Sequence, residues 1–406
     1  MRLPTSVLMA TALTVAAYST AACSTSPGTA PSTAPQPAST SVVAAAAHGV
    51  EAPIESVPWS QIGPGWVLAT WSPVTGTRPG EEPPAGEPTR DEATTTLYLV
   101  DPAGGRYPIT TFPPPGDKAA PELIDWSGDG TRALFYAPYA QPPSAIIVDL
   151  HTGTQTTLPV PASPRFTLPD GKALLVSDRT DYQAPAHLDR IDLTGKHQFT
   201  YPVDTLDSPF SGALLSTPDG TRLVLGTEKG LALMGNDGTV GATLTVPDRT
   251  DCAPLRWWDG TAASTVLATC EGPGNTTQLW TVPIDGGAPT ALTAPNDHQS
   301  GPDLGDGMAW QLPAGTFIQA AGACGVIYLA KLNPDGTTTK VDVPKASGSV
   351  SVLGANGDHL TVQARAACGP GQALIDFDPA ANASTILLGP SVNGGGVIDA
   401  VAHRDQ

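Results

Sequence analysis

The stretch IDWSGDGTRALFYA (124–137), followed by AIIVDLHTG (145–153), decides the fold of this chain of 406 residues. In each stretch an apolar or alternating run lies beside Asp and Gly. These residues favour tight turns, because Gly adopts positive φ without strain and Asp bonds the nearby backbone. The two stretches therefore predict short strands joined by two tight turns.

The same double-turn pattern occurs seven times. Further copies of the first turn are GPGWVLATW (63–71), PDGKALLVS (169–177), PDGTRLVLGT (218–227), WDGTAASTVLATC (258–270), PAGTFIQAAG (313–322) and NGDHLTVQAR (356–365). Further copies of the second turn are LYLVDPAGG (97–105), LDRIDLTG (188–195), LALMGNDG (231–238), LWTVPIDGG (279–287), IYLAKLNPDG (327–336) and LIDFDPAAN (374–382). A unit of about 40–50 residues with four short strands is typical of one β-propeller blade.

The chain is therefore predicted to be all-β, with a single propeller of about seven four-stranded blades. Six or eight blades are the alternatives. A β-sandwich would not account for seven copies of one double-turn pattern, and no segment has the 3.6-residue apolar period of a helix over three turns or more. We expect VIDAVA (397–402) to pair with the first blade, since a free terminal strand would leave backbone groups unpaired.

The N-terminal segment has the features of an export signal. VLMATALTVAA (7–17) is an apolar run too short to span a bilayer, and it leads to Thr20-Ala21-Ala22-Cys23. That tetrapeptide resembles a bacterial lipobox, although Leu is usual at the position of Thr20. The alternative is an ordinary signal peptide cleaved near Ala22. The segments predicted are a signal peptide (1–22), a lipidated Cys23 with a Ser/Thr/Pro/Ala-rich tether (23–47), and the propeller (48–406).

With these features together, the chain resembles the TolB-type and WD-repeat-like propeller lipoproteins of the actinobacterial cell envelope. The resemblance rests on the lipobox, the tether and the blade pattern, of which IDWSGDGTRALFYA is the clearest copy. It covers nearly the whole mature chain. It implies a propeller anchored by lipid on the outer face of the cytoplasmic membrane, and it implies hardly anything about activity.

The charge of the chain limits its partners. The formal net charge is −18, and the basic residues are scattered along the sequence. Nucleic-acid binding requires a basic stripe and is disfavoured. We expect a monomer that meets the membrane through its lipid and binds an unknown envelope protein or glycan.

The cysteines other than Cys23 are even in number, as expected for disulfides in an exported protein. Cys252 opens an innermost strand and Cys270 closes the strand beside it, so we predict a bond between them. Cys324 and Cys368 end corresponding strands of adjacent blades, so we predict a second bond there. No pair has the short spacing of a zinc site, and no metal ligands are assigned.

Strand direction separates two faces of the propeller. The tight turns fall on one face, and the longer connections fall on the other, where binding sites on rigid scaffolds usually lie. One such loop, 295–306, contains the candidate ligand-binding residues Asp297, His298, Asp303 and Asp306. Their carboxylates suit calcium or a basic peptide. The alternative is that Asp, Asn and Gly serve there as turn residues.

No linear catalytic motif is present: the sequence contains no GxSxG, HExxH or GxxxxGK[ST] pattern. No residue is assigned a catalytic role, and no cofactor besides calcium is expected. The first hypothesis is therefore a non-catalytic binding protein that uses its loop-rich face. The alternative is a lyase or hydrolase with an acid/His site at the channel mouth, using Asp297 or His298.

Overall fold

The computed structural model describes residues 45–404, except 77–83, 117, 179–185, 298–306, 323–325 and 367–370. The signal peptide, Cys23 and most of the tether lie outside the described residues. Nearly all regular structure in the described part is β. The remainder comprises short 3₁₀ turns at 54–56, 59–61, 203–205 and 260–262, and a single helical turn at Pro390–Asn393. None of the described helices has the length and apolar character that crossing a membrane would require.

Seven four-stranded antiparallel blades account for the described strands, and a single pair, Thr227 opposite Cys252, joins the fourth and fifth blades into one eight-stranded sheet. The first blade takes its three outer strands from the start of the propeller: β1 (Val67–Ser72), β2 (Thr95–Val100) and β3 (Arg106–Phe112). The next three blades, each from the innermost strand outward, are β4 (Glu122–Trp126), β5 (Arg132–Ala137), β6 (Ser144–Asp149) and β7 (Gln155–Pro159); β8 (Pro164–Phe166), β9 (Ala173–Asp178), β10 (His187–Asp192) and β11 (His197–Thr200); and β12 (Phe210–Ser216), β13 (Arg222–Thr227), β14 (Gly230–Gly235) and β15 (Val240–Leu244).

The last three complete blades follow in the same order. They are β16 (Thr250–Trp257), β17 (Thr265–Gly272), β18 (Thr276–Pro283) and β19 (Thr290–Ala291); β20 (Ala309–Leu312), β21 (Gly315–Ala321), β22 (Ile327–Leu332) and β23 (Thr338–Val341); and β24 (Ser349–Asn356), β25 (His359–Arg365), β26 (Gly371–Asp378) and β27 (Ala383–Leu388). The final strand, β28 (Gly396–Ala402), is the innermost strand of the first blade. The predicted seven-bladed propeller is confirmed.

The core lies between the blades. Seven clusters of buried apolar side chains occur among the described residues, one at each junction of neighbouring blades. The largest fully buried side chains include Trp126, Phe135 and Tyr107, which pack at the junction of blades 1 and 2. Because both faces of each blade pack on a neighbour, removal of one blade would expose two apolar surfaces.

The two ends of the described chain meet in blade 1. β28 pairs antiparallel with β1, with Val67 opposite Ala402 and Trp71 opposite Val397. Val397 is fully buried, in a cluster that joins side chains of blades 7 and 1. The predicted ring closure by 397–402 is therefore confirmed.

The two faces of the ring differ as the strand directions require. The connections between the first and second strands and between the third and fourth strands of each blade lie on one face, here called the turn face. The other connections lie on the opposite face, here called the loop face.

On the turn face the Asp129 carboxylate accepts hydrogen bonds from Ser127 Oγ (2.6 Å) and the Thr131 amide (3.0 Å), and Gly130 has φ of +73°. These bonds explain why Asp-Gly recurs in the turns.

A disulfide joins the two inner strands of blade 5. Cys252 of β16 and Cys270 of β17 are bonded at the loop-face end of the blade, and both are buried. The predicted Cys252–Cys270 bond is confirmed. Cys324 and Cys368 lie outside the described residues, and their pairing stays a prediction.

We expect the start of β28 to be sensitive to side-chain size. Gly395 has φ of +59°, and a Cβ there would lie 2.1 Å from the Ser72 carbonyl oxygen. Gly357 has a similar φ of +61°, and a Cβ there would meet nothing within 4 Å. Both Gly→Ala changes carry the left-handed backbone penalty of about 1–2 kcal/mol, and Gly395→Ala adds a clash of about 1–3 kcal/mol.

Urea unfolding of the two variants measures this difference. The expected result is a larger loss of unfolding free energy for Gly395→Ala than for Gly357→Ala. Equal losses would show that the contact of β28 with β1 is not tight at this point.

Candidate functional site

The predicted ligand loop falls mostly outside the described residues. Asp297 is described and exposed, whereas His298, Asp303 and Asp306 are not described. Another acid on the loop face, Asp207 between blades 3 and 4, accepts a hydrogen bond from Thr243 Oγ1 of the outermost strand β15 (3.2 Å), away from the channel. Among the described residues, no group of three or more His, Cys, Asp or Glu side chains is placed to hold a metal ion. The loop-face hypothesis therefore stays a prediction.

The described structure contains a cavity in the central channel, near the turn face. Its volume is about 250 Å³. β8, β12, β16, β20, β24 and the segment after β28 supply its walls. We call it the central cavity. Its polar walls include Arg165, Arg256, His403 and Arg404, and its apolar walls include Phe166, Leu214, Leu255, Trp257, Met308 and Trp310.

Arg404 is held by a buried carboxylate. Its Nη2 atom donates to Asp125 Oδ1 on β4, and the Asp125 side chain is only 5% exposed. The second oxygen of Asp125 accepts the Phe166 amide of β8 (2.8 Å). One carboxylate therefore fixes both Arg404 and the inner strand of blade 3.

Arg256 lies on β16 and is oriented by its neighbour in blade 6. Its Nη1 atom donates to the Ala309 carbonyl (3.1 Å), and the guanidinium carbon lies 5.6 Å from the centre of the Trp310 ring. Contact with an aromatic face stabilises a cation without neutralising its charge. These two contacts fix the guanidinium group at the wall of the central cavity.

Arg165 lies on β8 and faces the same cavity. Its Nη1 atom is 3.5 Å from the Leu214 carbonyl oxygen of blade 4. The residue is exposed to the open channel, although protein atoms lie on its other sides. Burial lowers the pKa of the Arg165 guanidinium; nearby Asp125 acts in the opposite direction, and Arg404 adds to the lowering. A lowered pKa means that this cation is less favourably placed in the fold than in water.

His403 separates the central cavity from a second cavity of about 340 Å³ at the rim of the turn face. Its Nδ1 atom lies 3.1 Å from the Arg404 carbonyl, which assigns the hydrogen to Nδ1 in the neutral ring. Burial lowers the pKa of His403 below its usual 6.5, and the carbonyl contact opposes that shift less strongly. His403 is therefore neutral at pH 7.

The arrangement suits a small anion with an apolar part. Arg presents planar N–H groups that match carboxylate and phosphate oxygens. Three such side chains reach one cavity in a chain with 38 acidic and 20 basic residues. The volume is below the roughly 300–1,000 Å³ of drug-sized pockets, so the ligand is small or is the end of a larger molecule.

No motif in the sequence links these arginines, because they lie in blades 3, 5 and 1. A usable signal was their position on inner strands. Arg165 is six residues before the turn glycine Gly171, and Arg256 is four residues before Gly260. Arg404 follows β28, which has no turn of this kind.

The sequence matches no family model and no curated protein. Its fold is similar to solved propeller structures at low identity. TolB from Acinetobacter baumannii is 15% identical, with a TM-score of 0.40 over 68% of this chain and 62% of TolB. The β-propeller domain of the Trilobed protease from Pyrococcus furiosus is 11% identical, with a TM-score of 0.46 over 81% of this chain and 95% of that domain.

A third structure of similar fold is oligogalacturonate lyase from Vibrio parahaemolyticus. It is 13% identical, with a TM-score of 0.44 over 81% of this chain and 87% of the lyase. At these values the similarity concerns fold alone, and the blade assignment rests on the strand pairing of this chain. The chain is thus a seven-bladed β-propeller, similar in fold to TolB and to the propellers of enzymes.

Proposed function

We propose that this protein is a binding protein whose central cavity holds a small anion with a short apolar body, such as an alkyl carboxylate or the C-terminal residue of a peptide. The convergence of Arg165, Arg256 and Arg404 on one partly apolar cavity carries the proposal. An anion there would pair with the Arg165 guanidinium, which is exposed to the channel. The apolar walls would add the selectivity for a ligand with a carbon chain.

The enzyme alternative has less support. It was built on Asp297 and His298, and His298 lies outside the described residues. In the central cavity, His403 contacts a backbone carbonyl, and the Asp125 carboxylate is occupied by Arg404 and the Phe166 amide. Neither group is arranged as an acid/base pair with the other. Binding is the function that this geometry favours.

We also propose that the protein is exported and held by lipid at Cys23 on the outer face of the cytoplasmic membrane. The apolar run, the small residues before Cys23 and the uncharged tether support this location. Mass spectrometry of the mature N-terminal peptide from a bacterial host tests it. A diacylglycerol on Cys23, lost in Cys23→Ala, is expected; an unmodified peptide that begins at or after Cys23 would argue for simple secretion.

Binding of alkyl carboxylates tests the anion site. We expect affinity to rise from acetate to hexanoate by about fourfold for each methylene that the cavity buries. Arg165→Gln, Arg256→Gln and Arg404→Gln should each weaken hexanoate about tenfold or more, because each removes a charge-assisted hydrogen bond. Fluorescence of Trp257 and Trp310 gives the readout, since both line the cavity.

Arg222→Gln is the matched control for these changes, because Arg222 is exposed at the start of β13. It should leave hexanoate affinity unchanged. If Arg256→Gln behaves like Arg222→Gln, or if acetate and hexanoate bind equally well, the central cavity is not the anion site.

The lowered pKa of His403 predicts how anion binding depends on pH. His403 is neutral above about pH 6.5 and becomes a cation as the pH falls through its lowered pKa, so affinity should rise only below about pH 6.5. The affinity should rise at least about threefold. This is the attraction that two opposite unit charges roughly 6 Å apart have in water. Butanesulfonate is a suitable probe because it stays ionised over this range.

His403→Gln is the control for this pH profile. This variant leaves Asp129 and His151 unchanged, and both of these residues line the neighbouring cavity together with His403. The variant should show no rise at low pH. A rise of the same size in the variant would assign the titration to another group.

A further inference from the structure

A third cavity borders Arg165 on the loop-face side. It has a volume of about 330 Å³ and lies between blades 3 and 4. Its walls include Ser163 before β8, Ser177 near the end of β9 and Ser211 near the start of β12, together with Arg165. We call it the serine recess. Pro164 pairs with Val176, so the neighbouring residues Ser163 and Ser177 lie side by side at its entrance.

The chemistry of the serine recess differs from that of the central cavity. Ser211 Oγ accepts the Ala213 amide hydrogen (3.3 Å), which leaves its own hydrogen to donate to a ligand. Ser177 Oγ donates to the Gly212 carbonyl (3.1 Å) and so joins blade 3 to blade 4. Among the described residues, no carboxylate lines the recess.

Hydroxyl donors around one guanidinium favour a ligand with several acceptor oxygens. A phosphate or sulfate offers such oxygens in several directions, whereas an alkyl carboxylate offers two oxygens and a tail that needs apolar walls. The apolar side chains described for the recess are Leu175 and Leu214, without the aromatic rings of the central cavity. The recess and the cavity are therefore suited to different anions.

We propose that the serine recess is a second binding site, for a tetrahedral oxyanion (phosphate or sulfate, free or as an ester), and that Arg165 couples it to the central cavity. The coupling part rests on the proposed function of that cavity. Arg165 lines both spaces, so anions in the two sites compete for the same guanidinium N–H donors. Two anions beside one cation also repel each other, and each should weaken the binding of the other.

Calorimetric titration of the full chain with inorganic phosphate at pH 7.5 tests the site. Ser163→Ala/Ser211→Ala should weaken phosphate about tenfold or more and leave hexanoate unchanged. Ser177 is kept because it bridges two blades. Arg256→Gln should have the opposite effects, weakening hexanoate and sparing phosphate. Arg165→Gln should weaken both.

The coupling is measured in the same titrations. Saturating hexanoate should weaken phosphate by about fivefold or more, and saturating phosphate should weaken hexanoate by the same factor. The titration is repeated with sulfate and with a phosphate monoester. The tighter ligand shows whether the serine recess prefers a free ion or an ester. In Arg165→Gln the mutual effect should be smaller than in the unaltered protein.

Three results would overturn the proposal. The first is phosphate binding that survives the double serine change, and the second is no phosphate binding at all. The third is phosphate binding that is lost in Arg256→Gln, which would place phosphate in the central cavity and leave the proposed function intact. If hexanoate fails to bind while phosphate binding depends on the serines, the proposed function fails and the recess stands.

Discussion

The antiparallel pairing of β28 with β1 is the interaction on which the rest of the structure depends. It joins segments more than 320 residues apart, and it completes the apolar junction between blades 7 and 1 around Val397. Without it, blade 1 would lack its innermost strand, and an apolar edge would face water. Such non-local pairing is entropically costly to form, because a long loop must close first. It also fixes the position of the residues that follow β28.

Those residues connect ring closure to the candidate site. His403 and Arg404 extend from β28 into the channel, where the buried Asp125 of blade 2 holds Arg404. Asp125 bonds blade 3 as well, so this carboxylate ties three consecutive blades together at the channel wall. A buried carboxylate is tolerated when its oxygens are paired in this way. Arg165 and Arg256 donate hydrogen bonds to backbone carbonyls of the neighbouring blades. Three arginine side chains thus line one cavity inside an acidic protein.

The fold could be predicted from the sequence because its signals are local. The blades repeat tight turns rich in Asp, Asn and Gly between short apolar strands, with a period of about 40–50 residues, and the Cys252–Cys270 bond lies within one hairpin. The candidate site could not be predicted in the same way. Arg165, Arg256 and Arg404 are separated by 91 and 148 residues, and only the circular order of the blades brings them to one cavity. The sequence directed attention to long loops, where Asp and Gly are abundant for reasons of turn formation. The central cavity lies at the other end of the channel.

Crystals of the protein grown with 6-bromohexanoate would test the central claim most directly, because bromine can be located by anomalous scattering. The account predicts bromine among the apolar walls near Leu255, Trp257 and Trp310, with the carboxylate within hydrogen-bond reach of the three guanidinium groups. Bromine found only on the outer surface, with water filling the cavity, would contradict it.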